Sequence, residues 1–291
     1  MAQLTDLGVR ERVWALDDVA TLPSTLVRIL SIVQDESATA LDLAEVVASD
    51  QALTLKILGT VNSSYYGFHR QIRTISDAVV ILGFDEVERL ALAISVINMF
   101  GRDHTTARAL HMLWRHSLAC SVVASCLETR LHNSKPQIAG AHVAGLLHDI
   151  GKAVIVQQFP ESAIAIARLI EDDGYSHVDA EREMLDGYTH CDIGAWLAGR
   201  WGLPPAIVQS IEMHHSPSAI HNPHMLTHAA HVADCLCNRA GIRSMNANAP
   251  CEIEPMSAEA LELSDEFVAQ VESKLDRQRG LIGAMAAGGA C

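Results

Sequence analysis

From Leu26 onward the apolar residues of this chain recur every three or four positions, and an alternation of period two never persists. Leu26, Ile29, Leu30 and Val33 follow Pro23-Ser24 in the i, i+3, i+4, i+7 order of a helix with one buried face. Thr39 with Asp42 three residues on has the form of a capping box before LDLAEVVA. Asp50 stands as an N-cap before QALTLKILGTVN, whose Leu53, Ile57 and Val61 share a face. Thr74 with Asp77 caps ISDAVVIL, and Gly83 stops it at the position where a left-handed residue is favoured. Asp85 then opens a longer run through Val87, Leu90, Ala91, Ile94 and Ile97. The fold class this predicts is all-α. Composition agrees, since 49% of the residues are hydrophobic but only 4% aromatic, which leaves small and branched aliphatic side chains to pack helix on helix.

Gly101 to Thr106 reads as a boundary, after which the helices lengthen. One runs through Trp114 and His116 to about Arg130, followed by IAGAHVAGLLHDI, KAVIVQQF and a helix ending near Ile170. Others are expected around His190 to Trp201, after Pro204-Pro205, and from about Leu226 to Arg239. Ala240 to Pro255 reads as a linker, Ser257 to Gln278 as one or two amphipathic helices, and the Gly/Ala tail after Ile282 as mobile. The expected organisation is a loose lead (1–19), an N-terminal helical subdomain (20–101), a second helical subdomain (102–240), and a linker with C-terminal helices and tail (241–291).

The net charge of −14, from 21 Lys and Arg against 35 Asp and Glu with no basic cluster, argues against nucleic acid and against an anionic membrane surface as partners. The N-terminus lacks an apolar core of signal-peptide length, and Leu90 to Phe100 is too short to span a bilayer. Seven cysteines without a CxxC pair are read as reduced thiols in a cytoplasmic protein.

Of 15 histidines, only His69 precedes residue 104. His104, His132, His177, His221 and His224 fall in predicted loops, where solvation accounts for them, and His111 and His142 fit polar helix faces. The rest are harder to place as bystanders. His148-Asp149 closes an apolar helix, where two adjacent polar groups are costly unless satisfied. His190 lies at a helix start, His214-His215 at a helix end, Asp234 in a helix rich in Ala and Val, and His116 in the long upstream helix. A single helical histidine is more often a hydrogen-bonded core or surface residue than a ligand. The ordered set is more specific, and imidazole with carboxylate suits manganese, iron, zinc or nickel.

AGLLHDIGK, with His116 before it and Asp234 after it, resembles the HD superfamily of metal-dependent phosphohydrolases. LPSTLVRILSIV, SDQALTLKILGTVNSSYYG, ISDAVVILGFDEV and HCDIGAWLAGRWGLPPAIVQSIEMHHSP narrow the resemblance to the HDOD (HD-related output domain) family over roughly residues 20 to 240. The resemblance implies an HD-like multi-helix bundle joined to an N-terminal helical subdomain, as in bacterial signal-transduction proteins. It implies His116, His148, Asp149 and Asp234 as the basic metal ligands and His190, His214 and His215 as those of a second ion. Asp149 would bridge one or two divalent ions, and Lys152 would steady phosphate charge, its plainer reading being a solvated helix end.

Many family members lack part of this set and are regulatory; here the set is complete. The chain also departs from the cyclic-di-GMP hydrolases of the HD-GYP class, since Ser-Pro-Ser-Ala follows His214-His215 and Met112 stands four residues before His116. The leading expectation is a signalling output module that binds other signalling proteins. The alternative is a phosphohydrolase acting on a phosphorylated small molecule, and a third is a scaffold whose histidines bind nothing.

Overall fold

The computed structural model describes residues 8–16, 22–33, 35, 37–63, 65–100, 106–245 and 251–287, and among them every regular element is helical. Contacts divide the chain into two units, residues 22–101 with 278–291, and residues 1–21 with 102–277.

In the first unit α2 (Ser24–Val33), α3 (Ala40–Ala48), α4 (Gln51–Val61) and α5 (Ile75–Leu82) all pack on α6 (Phe84–Met99). Helix α6 is central because every residue from Leu90 to Ile97 is buried, leaving it almost no solvent face. The caps follow local chemistry. Thr39 Oγ1 accepts the Asp42 N–H and Asp42 Oδ2 accepts the Thr39 N–H, at 3.3 and 2.8 Å. Asp50 Oδ1 accepts from Leu53 N and Thr74 Oγ1 from Asp77 N, both at 3.0 Å. Gly83, at φ +91°, ends α5 and leads directly into α6. Leu26, Ile29, Leu30, Leu53, Ile57, Ile94 and Ile97 are all buried, as their spacing requires.

Asn62, the first residue of NSSYYG, pins the loop that follows α4. Its Nδ2 donates to the Ile72 carbonyl at 2.7 Å while its Oδ1 accepts the Ile72 N–H at 2.8 Å. Asn62→Ala leaves both backbone groups without a partner. It is expected to lower stability by about 1–3 kcal/mol in chemical denaturation; an unchanged midpoint would show that water replaces the clamp.

The second unit starts with α1 (Val9–Trp14), which lies in the stretch expected to be a loose lead. It is held by long-range bonds invisible to local pattern: Val9 N to Asp186 Oδ2, Arg12 Nη2 to the Gln158 carbonyl, and Arg200 Nη1 to the Val13 carbonyl. The remaining helices are α7 (Ala107–Leu131), α8 (Ala141–Leu147), α9 (Ile150–Gln158), α10 (Pro160–Glu171), α11 (His177–Met184), α12 (His190–Arg200), α13 (Pro205–Met213), α14 (Met225–Arg239), α15 (Pro255–Ala260) and α16 (Asp265–Ala286), whose residues from 278 on are counted with the first unit. Helices α7, α8 and α14 pack on one another, α9 lies on α12, and α13 joins α12 to α14. Helix α16 runs on through Ala286, past the point where a mobile tail was expected. The expected boundary at 101–106, including His104, falls largely outside the described residues, as do 246–250 of the expected linker and 288–291 of the tail.

Among the described residues, Pro136–Gln158, rather than Leu90 to Phe100, form the stretch with the length and apolarity of a membrane span. In this structure 89% of its most apolar window is buried, and it carries His148, Asp149 and Lys152. Those are the properties of a core helix pair around a polar site.

Candidate metal centre

Helices α8 and α9 are broken by His148 and Asp149, which sit between them in non-extended turns of backbone. Helix α7 supplies His116, α12 begins on His190, His214 and His215 follow α13, and α14 supplies Asp234. All seven residues come together. His116, His148, His190 and His214 are completely buried and Asp149 is 1% exposed; among the ring groups only His215 keeps a partly exposed side chain.

Each buried ring is held by its Nδ1, so that Nε2 is turned inward. His116 Nδ1 bonds the Ile242 carbonyl at 2.8 Å, His148 Nδ1 the Gly145 carbonyl at 2.8 Å, and His214 Nδ1 the Ile211 carbonyl at 2.9 Å. His190 Nδ1 donates to Glu181 Oε2 at 2.6 Å. A backbone carbonyl or carboxylate on one nitrogen is the arrangement that fixes the tautomer of a metal-binding imidazole.

Asp149 faces both halves of the cluster. Its Oδ1 lies 3.3 Å from His190 Nε2 and 3.6 Å from His214 Nε2, and its Oδ2 lies 3.5 Å from His148 Nε2 and 3.9 Å from His116 Nε2. Asp234 Oδ1 is 3.0 Å from His116 Nε2. Donor atoms of His116, Cys120, His148 and Asp234 lie within 4.8 Å of one another, as do those of His148, Asp149 and His214, and those of His190, Cys191, His214 and His215. The residues can hold a metal. His148 Nε2, His214 Nε2 and Asp149 Oδ1 are buried without a hydrogen-bond partner, and such atoms are costly unless a cation satisfies them.

Electrostatics favours positive charge at this place. Burial would raise the Asp149 pKa, yet Lys152 and then His148 hold it well below the usual carboxylate range. Burial likewise opposes ionisation of Asp234, but its bond to His116 keeps it ionised. Burial depresses His148 to about 3, so its ring is neutral and its lone pair available. Burial raises the Cys191 thiol, but His190 and His214 more than offset this and bring it to about 6.

Lys152 is neither a solvated helix end nor a free cation. It is 4% exposed, and its Nζ donates to Asp149 Oδ2 at 2.8 Å and to Ser244 Oγ at 3.0 Å. Several other contributors escape a reading of the sequence. Glu181 is fully buried, accepts the His190 backbone N–H at 2.9 Å and lies 3.1 Å from His177 Nε2. His177, expected in a solvated loop, opens α11 instead. His231 Nδ1 donates to the His214 carbonyl while its Nε2 accepts the Glu254 N–H at 3.0 Å, which fixes the backbone at His214. The expected linker supplies Ile242 and Ser244 to the site. Cys235, next to Asp234, is joined to Cys251 by a disulfide, where all seven thiols were expected to be reduced. Glu181→Gln keeps the shape but removes the charge behind His190. It is expected to weaken metal retention about 10–100-fold in competition with a chelator; full retention would reduce Glu181 to a packing role.

The HDOD domain family model matches residues 19–217, and the chain belongs to this family. The match includes six of the seven cluster residues and stops short of Asp234. An HDOD domain protein of unknown function from Geobacter sulfurreducens shares the fold at TM-score 0.75 and 24% identity, covering 98% of this chain and 97% of that one. A protein from Marinobacter aquaeolei VT8, provisionally named for signal transduction, gives TM-score 0.75 and 24% identity over 98% and 62% of the two chains. A provisionally named phosphohydrolase from Shewanella amazonensis SB2B gives 0.72 and 22% over 97% and 99%. An uncharacterized protein of Treponema pallidum (strain Nichols) is 26% identical over 201 residues, which is 69% of this chain and 38% of that relative.

Proposed function

We propose that this chain is a signal-transduction output module of HDOD type, whose second unit holds one or two divalent transition-metal ions and whose role is to bind another signalling protein in the cytoplasm. The observation that carries this reading is the enclosure of a donor-rich cluster. His116, His148, His190 and His214 have no exposed surface, and Lys152 is committed to Asp149 and Ser244. A catalytic centre needs open coordination positions and room for a phosphoryl group. A bound ion here would supply Lewis acidity and positive charge, held by His116, His148, Asp149 and Asp234 in one half and by Asp149, His190, His214 and His215 in the other. The protein's own groups orient the rings through Nδ1, keep Asp149 and Asp234 ionised, and exclude water from the cluster. They tie α7, the α8–α9 break, α12, the end of α13 and α14 to one point, a structural role.

The runner-up, a metal-dependent phosphohydrolase acting on a phosphorylated small molecule, draws support from the completeness of the set and from His215, whose side chain is 30% exposed beside Asp234. Phosphodiesters and monoesters, cyclic and linear, assayed with manganese, iron, nickel or zinc, discriminate the two. The expected result is weak or absent turnover. Turnover near the typical enzyme median of about 10 per second, abolished by Asp149→Asn, would establish the runner-up instead.

A further inference from the structure

His190 Nε2 is approached by three atoms at once: His215 Nε2 at 3.2 Å, Asp149 Oδ1 at 3.3 Å and Cys191 Sγ at 3.5 Å. One ring nitrogen offers a single proton or a single lone pair, so it serves one of these neighbours as a hydrogen-bond partner and not all three. With Nδ1 already bonded to Glu181, Nε2 of His190 faces an imidazole nitrogen, a carboxylate oxygen and a sulfur together. Such a convergence is repulsive between lone pairs and attractive around a cation.

The spacings carry metrical information as well. Nitrogens about 2.1 Å from one tetrahedral ion lie roughly 3.4 Å apart, and a nitrogen and a thiolate sulfur at about 2.3 Å lie roughly 3.6 Å apart. The observed 3.2 Å between the two histidine nitrogens and 3.5 Å between His190 Nε2 and Cys191 Sγ are close to those edges. Cys191 is buried with its sulfur 3.5 Å from His190 Nε2 and 4.0 Å from His214 Nδ1, and the neighbouring His214 Nε2 is buried without a hydrogen-bond partner. The sequence places Cys191 immediately after His190, at the first turn of α12, where both side chains reach the same point.

We propose that Cys191 is a thiolate ligand to the ion that His190, His214 and His215 would hold beside Asp149, which makes this half of the centre a soft site that selects zinc or ferrous iron over manganese. The inference rests on the metal-holding reading given above and adds a donor that the histidine–aspartate pattern does not contain. On metal entry the Cys191 S–H bond breaks, the sulfur keeps the electron pair for the ion, and the proton leaves to solvent. Thiolate shifts preference toward the thiophilic metals, whereas an all-nitrogen and oxygen set accommodates manganese.

Cobalt(II) loaded into the metal-depleted full chain reads this directly through thiolate-to-cobalt charge-transfer absorption in the near ultraviolet. The expected result is a charge-transfer band in the wild type that disappears in Cys191→Ser while the visible cobalt bands persist. It should remain in Cys120→Ser, whose sulfur lies 3.4 Å from His116 Nε2 in the other half. Cobalt bound without any charge-transfer band would overturn the thiolate ligand and leave the metal centre standing. A band lost in Cys120→Ser but kept in Cys191→Ser would also overturn it, by moving the sulfur to the other half. No cobalt binding at all would overturn the metal-holding reading itself. If Cys191→Ser does not fold, X-ray absorption of the zinc-loaded wild type decides: a sulfur scatterer at about 2.3 Å supports the assignment, and a shell of nitrogen and oxygen only refutes it.

Discussion

Replacing Asp149 by Ala is expected to strip both halves of the centre of metal and to lower the stability of the folded chain by about 3–5 kcal/mol even without metal. Two separate causes act. The carboxylate is the one group that faces all four buried rings, with Oδ1 toward His190 and His214 and Oδ2 toward His148 and His116. Its loss removes the shared ligand. It also strands the Lys152 ammonium, buried and left with Ser244 as its hydrogen-bond partner. Asp149→Asn separates the causes in part, since the amide keeps the shape and can still accept from Lys152. The double substitution Asp149→Ala with Lys152→Met should recover the stranded-charge component but not the metal. Elemental analysis and chemical denaturation of the three variants are the measurements. Metal content in Asp149→Ala equal to wild type would remove Asp149 from the centre.

Gly151→Ala is expected to be about as damaging, although the methyl group it adds is small. A Cβ on Gly151 would run into the His190 carbonyl oxygen and sit 2.9 Å from the Gly194 nitrogen, both of them backbone atoms. Backbone cannot rotate aside as a side chain can, so α9 and α12 must separate. Overpacking of this kind typically costs 1–3 kcal/mol and occasionally more, and this site belongs at the upper end, about 3 kcal/mol or above. Because His190 is the first residue of α12, the displacement also carries its ring away from Asp149. Lower denaturation midpoints together with reduced metal retention are the expected outcome. A variant indistinguishable from wild type in both would show that the two helices are not held at this distance.

The parts of the fold visible in sequence are those set by local chemistry. Thr39, Asp50 and Thr74 announce helix starts because capping joins residues only three apart. The histidines and aspartates of the centre stand out because polar groups at the ends of apolar helices need partners. What the sequence hides is supplied at long range. Glu181 lies in the polar segment HVDAEREM beside Asp179 and Glu183, and nothing local marks it as the buried one. Its pairing with His177 at i, i+4 is a weak signal that was available. Ile242 and Ser244 lie in a Gly- and Asn-containing segment with the composition of a linker, yet a carbonyl and a hydroxyl there complete the surroundings of His116 and Lys152. Helix α1 and the Cys235–Cys251 bridge are fixed by partners 16 to 187 residues away in sequence, which periodicity does not report.

The buried cluster as a metal centre is tested most directly by elemental analysis of the purified full chain. The protein would be prepared with manganese, iron, nickel or zinc supplied in turn and dialysed before measurement. The expected result is one or two transition-metal ions retained per chain, with a thermal midpoint that rises on loading, because binding to the folded state alone stabilises it. Retention well below one ion per chain for every metal offered, with an unchanged thermal midpoint, would contradict it.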